Sequence, residues 1–202
     1  MPPSTRLTGS EPLVGIPGRS VADFWSWAYS DLLTNTIRPL MAEFIVASAL
    51  GEDHGIRTEW DSVDVHYRGR KIEVKSSGYV QTWAQSRPSR IQFDIQMKQG
   101  WDAATNTASP VPLRSADVYV FCLFTEADRQ HVYDHIRDMQ FWQFYPVATT
   151  ALNERYTTQK SLALSYVQAL AECCSYDGLR ARIDSLLDKL DMSQHTRRLP
   201  AK

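Results

Sequence analysis

Three residues of this 202-residue chain combine type and spacing in a way that could do chemistry: Asp64, Glu73 and Lys75. Val63 to Tyr67 alternates apolar and polar residues, and so does Arg70 to Lys75. Between them, Arg68-Gly69 is a two-residue turn candidate with glycine second, which predicts a β-hairpin. In that register Tyr67 faces Arg70, His66 faces Lys71, Val65 faces Ile72 and Asp64 faces Glu73. Side chains alternate along a strand, so one face is predicted to carry Val63, Val65, Ile72 and Val74. The other carries Asp64, His66, Lys71, Glu73 and Lys75. Facing Cβ atoms lie roughly 5 Å apart, so the two carboxylates would repel and raise each other's pKa unless a cation sat between them. Magnesium takes one or two carboxylates together with waters and substrate phosphates. Lys75, on the same face, could orient an attacking water or offset charge on a phosphorus atom.

An acidic residue two positions before a lysine is ordinary in a chain with 23 acidic residues. What distinguishes Glu73-Val74-Lys75 is its setting: the residues alternate with Ile72 and Val74, close a hairpin, and meet an aspartate across it. Asp61 is a rival for the first carboxylate. In this register it points to the face opposite Glu73, and a β-bulge would reverse that. A salt-bridge ladder on an exposed sheet face would use the same residue types.

Asp64 together with Ile72-Glu73-Val74-Lys75 resembles the PD-(D/E)xK signature of the restriction-endonuclease-like nucleases. The preceding stretch Arg38-Pro-Leu-Met-Ala-Glu43-Phe-Ile-Val-Ala resembles the first helix of that superfamily. The resemblance covers residues 38–124 and departs at the proline of the motif, whose place is taken by Val63. It implies an α/β domain with a restriction-endonuclease-like mixed β-sheet flanked by α-helices. It further implies a nuclease, most naturally an endonuclease, that hydrolyses DNA phosphodiesters with Mg2+, for which Mn2+ could substitute. Asp64, Glu73 and the Val74 backbone carbonyl would hold the metal, and Lys75 would be the catalytic lysine. Glu43 would be an accessory carboxylate, acting directly or through water. Gln81 and Gln85, just after the signature, could meet substrate or metal-bound water, although surface glutamines would look the same.

The elements that must position these residues are legible to different degrees. Met1 to Ser20, with four prolines and three glycines, reads as a loose lead. Val21 to Leu50 reads as helical, with a break at Asn35-Thr36. Ala22, Trp25, Ala28, Tyr29 and Leu32 form one apolar face, and Leu40, Phe44, Ala47 and Leu50 form the next. Pro39 suits a first turn and Gly51 a helix end. Ile91 to Ile95 and Phe141 to Tyr145 are predicted strands. Asp117 to Phe124, apolar and rich in β-branched and aromatic residues, is the predicted central strand, buried on both faces. Gly100 to Ser115 reads as a loop. Ser161 to Cys173 and Leu179 to Leu190 are predicted closing helices. One domain over residues 21–192 and a polar tail over 193–202 complete the expectation.

The net charge is −1, so the chain is no polycation. Charge is nonetheless unevenly placed: Arg57 to Lys98 carries eight basic and five acidic residues. A locally basic stretch around carboxylates suits an anionic partner such as DNA, as would a plain solvated face. Cys122, Cys173 and Cys174 have no zinc-site spacing and read as free thiols. His131 and His135 stand four apart without a third ligand nearby. Trp83 and Tyr79 lie near the signature, where they could stack on bases, and the six tryptophans are core by default. No apolar block marks a secretory signal or a membrane span, so a cytoplasmic protein without a membrane partner is expected. A single domain of this size that cuts both strands would do so as a homodimer, though no interface can be read from the chain. A nuclease fold that binds DNA or assembles with other proteins without turnover is the alternative.

Overall fold

In the computed structural model the described residues are 5–59, 63–99, 101–102, 107–108 and 110–198. Two helices open the chain, α1 (Val21–Tyr29) and α2 (Ile37–Leu50). The hairpin β1 (Val65–Tyr67) and β2 (Arg70–Gly78) follows, then three short strands, β3 (Gln92–Asp94), β4 (Trp101–Asp102) and β5 (Thr107–Ala108). After β6 (Val118–Phe124) come α3 (Val132–His135), a 3-10 turn (Met139–Phe141) and β7 (Trp142–Ala148). The chain closes with α4 (Thr149–Arg155), β8 (Ser161–Ala163), α5 (Leu164–Gln168) and the long α6 (Tyr176–Arg198).

The main sheet has the order β1-β2-β6-β7. β2 and β6 run parallel, and the two outer pairings are antiparallel, so the sheet is mixed. β6 is buried along its whole length, as its apolar sequence requires. Pro146 is tolerated in β7 because that strand lies at the end of the sheet order. On one side, Ile72 and Val74 of β2 join Val118, Val120 and Phe124 of β6 beneath Ile45, Val46 and Leu50 of α2 and Leu179, Ile183 and Leu187 of α6. On the other, Tyr119, Phe121 and Leu123 pack with Phe93, Ile95, Leu152, Leu162 and Val167. Each fully buried side chain of this size contributes roughly 1.5–3 kcal/mol, so both layers hold the sheet. The architecture is therefore a mixed sheet flanked by helices. No helix among the described residues is long and apolar enough to cross a membrane.

The α2 boundaries follow the sequence signals. Pro39 occupies the first turn, and Gly51 ends the helix at φ 79°, a conformation glycine adopts freely. Other expectations need correction. None of the α1 residues is buried, and Trp25, Trp27, Phe24 and Tyr29 are all exposed. The apolar face of α1 is thus not a core face. Of Trp25, Trp27, Trp83 and Trp142 only Trp142 is buried, because periodicity cannot say whether anything covers an apolar stripe. Ser161 to Ala163 is a strand, pairing with β3, and the helix predicted there is only Leu164–Gln168. The predicted loop over 100–115 contains the short pair β4 and β5. The last helix continues through Arg198, past the point where a polar tail was expected. The three cysteines are free.

Candidate active site

The hairpin register is the one the turn dictates: Tyr67 pairs with Arg70, His66 with Lys71 and Val65 with Ile72. Arg68 and Gly69 both have positive φ, 52° and 71°, as a type I′ turn requires. The register goes no further: the Asp64 amide donates at 3.2 Å to the carbonyl of Ile72, the residue Val65 already faces, and the expected pairing of Asp64 with Glu73 is not formed. There β1 ends. The next inward-pointing donor of β2, the Val74 amide, is met by the Asp64 carboxylate, which accepts it at 2.7 Å. A residue's N–H and C=O share one edge of a strand, so the Val74 carbonyl faces the same edge as Asp64.

Val63 departs from the expected apolar face. It packs with Ile91, Phe93 and Tyr119 in the second layer, while Val65, Ile72 and Val74 pack under the helices. The chain leaves the plane of the hairpin as soon as the ladder stops. Asp61 lies outside the described residues.

Glu73 and Lys75 alternate with Ile72 and Val74 and so stand on the sheet face away from α2 and α6. Their partners on β6 are Tyr119 and Phe121. The Lys75 ammonium forms a hydrogen-bonded ion pair with the Glu73 carboxylate, and both side chains are about one-fifth exposed (21% and 19%). Glu43, on α2, is held by the Arg57 guanidinium. No spacing in the chain assigns Arg57 a role; Glu43 draws it in from the loop after α2. Asp94, at the end of β3, was missed for the same reason: it reaches the site across a tertiary contact. Lys98 Nζ binds it at 2.7 Å.

These groups feel one another. Burial raises the Asp64 carboxyl above the usual carboxylate range, and the charge of Glu43 adds to it. Burial likewise raises Glu73, with Lys75 opposing and Asp64 adding. Burial pulls the Lys75 ammonium down, but the adjacent Glu73 carboxylate outweighs it and the group is raised. Burial and then the negative charge of Glu73 push the Tyr119 phenol up. Burial would raise Asp94 too, yet bonds from Lys98 and the Gln96 amide prevail and lower it. Asp64, Glu73 and Lys75 are therefore one electrostatic unit in which anionic charge is held partly out of water.

Gln81 is buried 7% exposed, and both ends of its amide are engaged. Arg38 donates to its Oε1 at 3.2 Å, and its Nε2 donates to the Gly78 carbonyl at 3.0 Å. Gln85 accepts the Gln81 backbone amide at 2.6 Å. Gln81 thus ties the chain after β2 to α2, and Gln85 braces that segment internally. Tyr79 packs against the second layer, and Trp83 is exposed. His131 and His135 stack on each other, their Nδ1 atoms bonded to Asp128 and Glu126.

A magnesium ion is compatible with what is here. Two half-buried carboxylates with raised proton affinity, plus a backbone carbonyl on the same edge, provide oxygen donors and an unbalanced negative charge. Among the described residues, no three of His, Cys, Asp and Glu are grouped to hold a metal. A cavity of about 550 Å³ opens beside the site, with Asp64, Glu43 and Arg57 in its wall. Glu73 and Lys75 do not line it.

The model of one known family, bacteriophage T4 endonuclease IV, matches residues 26–136, which take in the end of α1, all of α2, the hairpin and β6. No curated protein and no solved structure matches the chain. The match covers more than half of the sequence and contains every residue of the carboxylate–lysine unit, so the chain belongs to the bacteriophage T4 endonuclease IV family.

Proposed function

We propose that this chain is a DNA endonuclease of the PD-(D/E)xK type, with the restriction-endonuclease-like fold, that hydrolyses phosphodiesters with magnesium. The observation that carries the reading is the electrostatic unit of Asp64, Glu73 and Lys75 at the point where β1 stops. Two half-buried carboxylates, with Asp64 raising the proton affinity of Glu73 and Glu43 raising that of Asp64, are an arrangement that a cation relieves. The family match supports the endonuclease part of the proposal.

Asp64, Glu73 and the Val74 carbonyl are the residues that would hold the metal, with manganese as a substitute. When bound, the ion would supply positive charge and Lewis acidity at the scissile phosphate. The remaining work belongs to the chain. Val74 fixes the Asp64 carboxylate through its amide. Glu73 holds the Lys75 ammonium, whose Nζ would donate to the attacking water or to a phosphate oxygen. Arg57 holds Glu43 beside Asp64, so that Glu43 would assist without adding an unpaired charge. Phe121, fully buried beside Lys75 in register, keeps water out from the strand behind it.

The test is direct. Purified protein is incubated with linear and circular, single- and double-stranded DNA in magnesium, manganese or EDTA. Cleavage in either metal, none in EDTA, and none by Glu73→Gln is the expected result. One observation favours a second reading, a nuclease-fold subunit that binds DNA without cutting: the described residues supply no three-ligand metal group. DNA binding that is unchanged in Glu73→Gln, with no cleavage by the wild type, would select it.

A further inference from the structure

The cavity beside Asp64 has an unusual wall. Its polar lining includes Asp64, Glu43 and Arg57 with Arg6, Glu52 and Asp53, and its apolar lining includes Trp25 of α1, Phe44 of α2 and Ile56. All three apolar residues are exposed, at 38%, 50% and 38%. Large exposed aromatic surface on a soluble domain marks an interaction site more often than chance. At about 550 Å³ the cavity falls within the roughly 300–1,000 Å³ of small-ligand sites.

The Trp25 ring is also fixed in place. Gly9 adopts φ +95° and lies so close that a Cβ there would sit 3.1 Å from the indole and 3.2 Å from Ala22. The Gly9 carbonyl accepts the Ala22 amide at 2.9 Å, tying this backbone to the start of α1. Only glycine permits both the conformation and the approach. The lead segment thus braces one side of the indole and leaves the rest uncovered.

We propose that this cavity is a nucleobase subsite, in which Trp25 and Phe44 stack on a base of the strand whose phosphate lies at Asp64 and Glu73. The inference rests on the hydrolytic reading of those two carboxylates. The occupant follows from continuity: one cavity joins a fixed aromatic ring to a carboxylate of the phosphate site, and a nucleotide is the ligand whose parts need both. Stacking on aromatic rings is tolerant of base identity, because every base has a π-face. Arg57, which lines the same cavity with Asp64 and Trp25, supplies the cation that would meet the backbone linking base and scissile phosphate.

The experiment measures binding by fluorescence anisotropy, in EDTA and at one salt concentration. The probes are a fluorescein-labelled single-stranded oligonucleotide and the same backbone carrying abasic residues. The wild type should bind the intact strand about 5- to 100-fold more tightly than the abasic one. The Trp25→Ala/Phe44→Ala double variant should lose that preference and bind both strands as the wild type binds the abasic strand. Trp25→Phe should keep it, and a circular-dichroism spectrum and Tm of the double variant close to the wild type exclude misfolding as the cause. A double variant that keeps the preference, or weakens both strands equally, overturns the subsite. Cleavage by the wild type in magnesium is scored separately: base preference with no cleavage removes the hydrolytic reading, while cleavage without base preference removes the subsite.

Discussion

The Asp64 carboxylate accepts the Val74 amide at 2.7 Å, in the position where a longer β1 would have offered a backbone carbonyl. That bond fixes the first carboxylate of the site to the strand that carries the second. It also explains how a half-buried aspartate with raised proton affinity keeps its place: the amide holds the side chain although burial and Glu43 disfavour its charge. Substituting Asp64→Asn keeps an oxygen for the Val74 amide and removes the charge. The expected result is a gain of about 2–4 °C in Tm, the shift that roughly 1 kcal/mol produces in a domain this size, with cleavage lost. Differential scanning fluorimetry and a nicking assay on the same samples check both halves.

The pH dependence of that gain has a defined sign. A carboxyl raised in the folded state binds its proton more tightly there than when unfolded. Its contribution to stability is full below the unfolded value and is lost as pH rises through the folded value. The Tm difference between Asp64→Asn and wild type should therefore be near zero at about pH 4 and widen towards about pH 8. A difference that shrinks with rising pH would mean that the aspartate is stabilised in its charged form.

Magnesium should reverse the destabilisation. A ligand at 100 times its Kd adds about 2.7 kcal/mol to a site that exists only in the folded state. Saturating magnesium should raise the wild-type Tm relative to EDTA, and the rise should vanish in Glu73→Gln. An equal rise in both proteins would place the ion elsewhere.

Glu43 should behave differently from Glu73. It is already paired with Arg57, so Glu43→Gln removes an assisting charge and leaves the Asp64–Glu73 pair intact. A loss of about tenfold in cleavage rate is expected for Glu43→Gln, against a loss of 10³-fold or more, on the order of 4 kcal/mol, for Glu73→Gln. Single-turnover rates distinguish the two.

The second layer carries the sheet from below. Phe93 meets Phe121 edge-on, with ring centroids 5.1 Å apart, and both are fully buried. Phe93→Ala should cost about 3–5 kcal/mol by urea denaturation. Trp27→Ser, at a position 86% exposed, should leave stability within about 0.5 kcal/mol.

Much of the site was legible in the sequence because a two-residue turn fixes register, and register fixes which side chains share a face. The same rule failed at Val63, one residue before Asp64, because it holds only while the ladder continues. β6 was legible from its unbroken apolar run. Ser161–Ala163 was not, since three residues that pair with a distant strand carry no period of their own. α1 shows the opposite error, a clear apolar stripe that nothing buries. Arg57 and Asp94 join the carboxylates through the fold, and no spacing in the chain announces such neighbours.

Lys75 provides the most direct measurement, because its ammonium touches Glu73 and replacing it by methionine removes the charge while keeping the apolar stem. Single-turnover cleavage of a labelled DNA strand in magnesium should fall at least a thousandfold in Lys75→Met, with DNA binding retained and the circular-dichroism spectrum of the folded protein unchanged. Cleavage at the wild-type rate by this folded variant would contradict the assignment of the carboxylate–lysine unit as the active site.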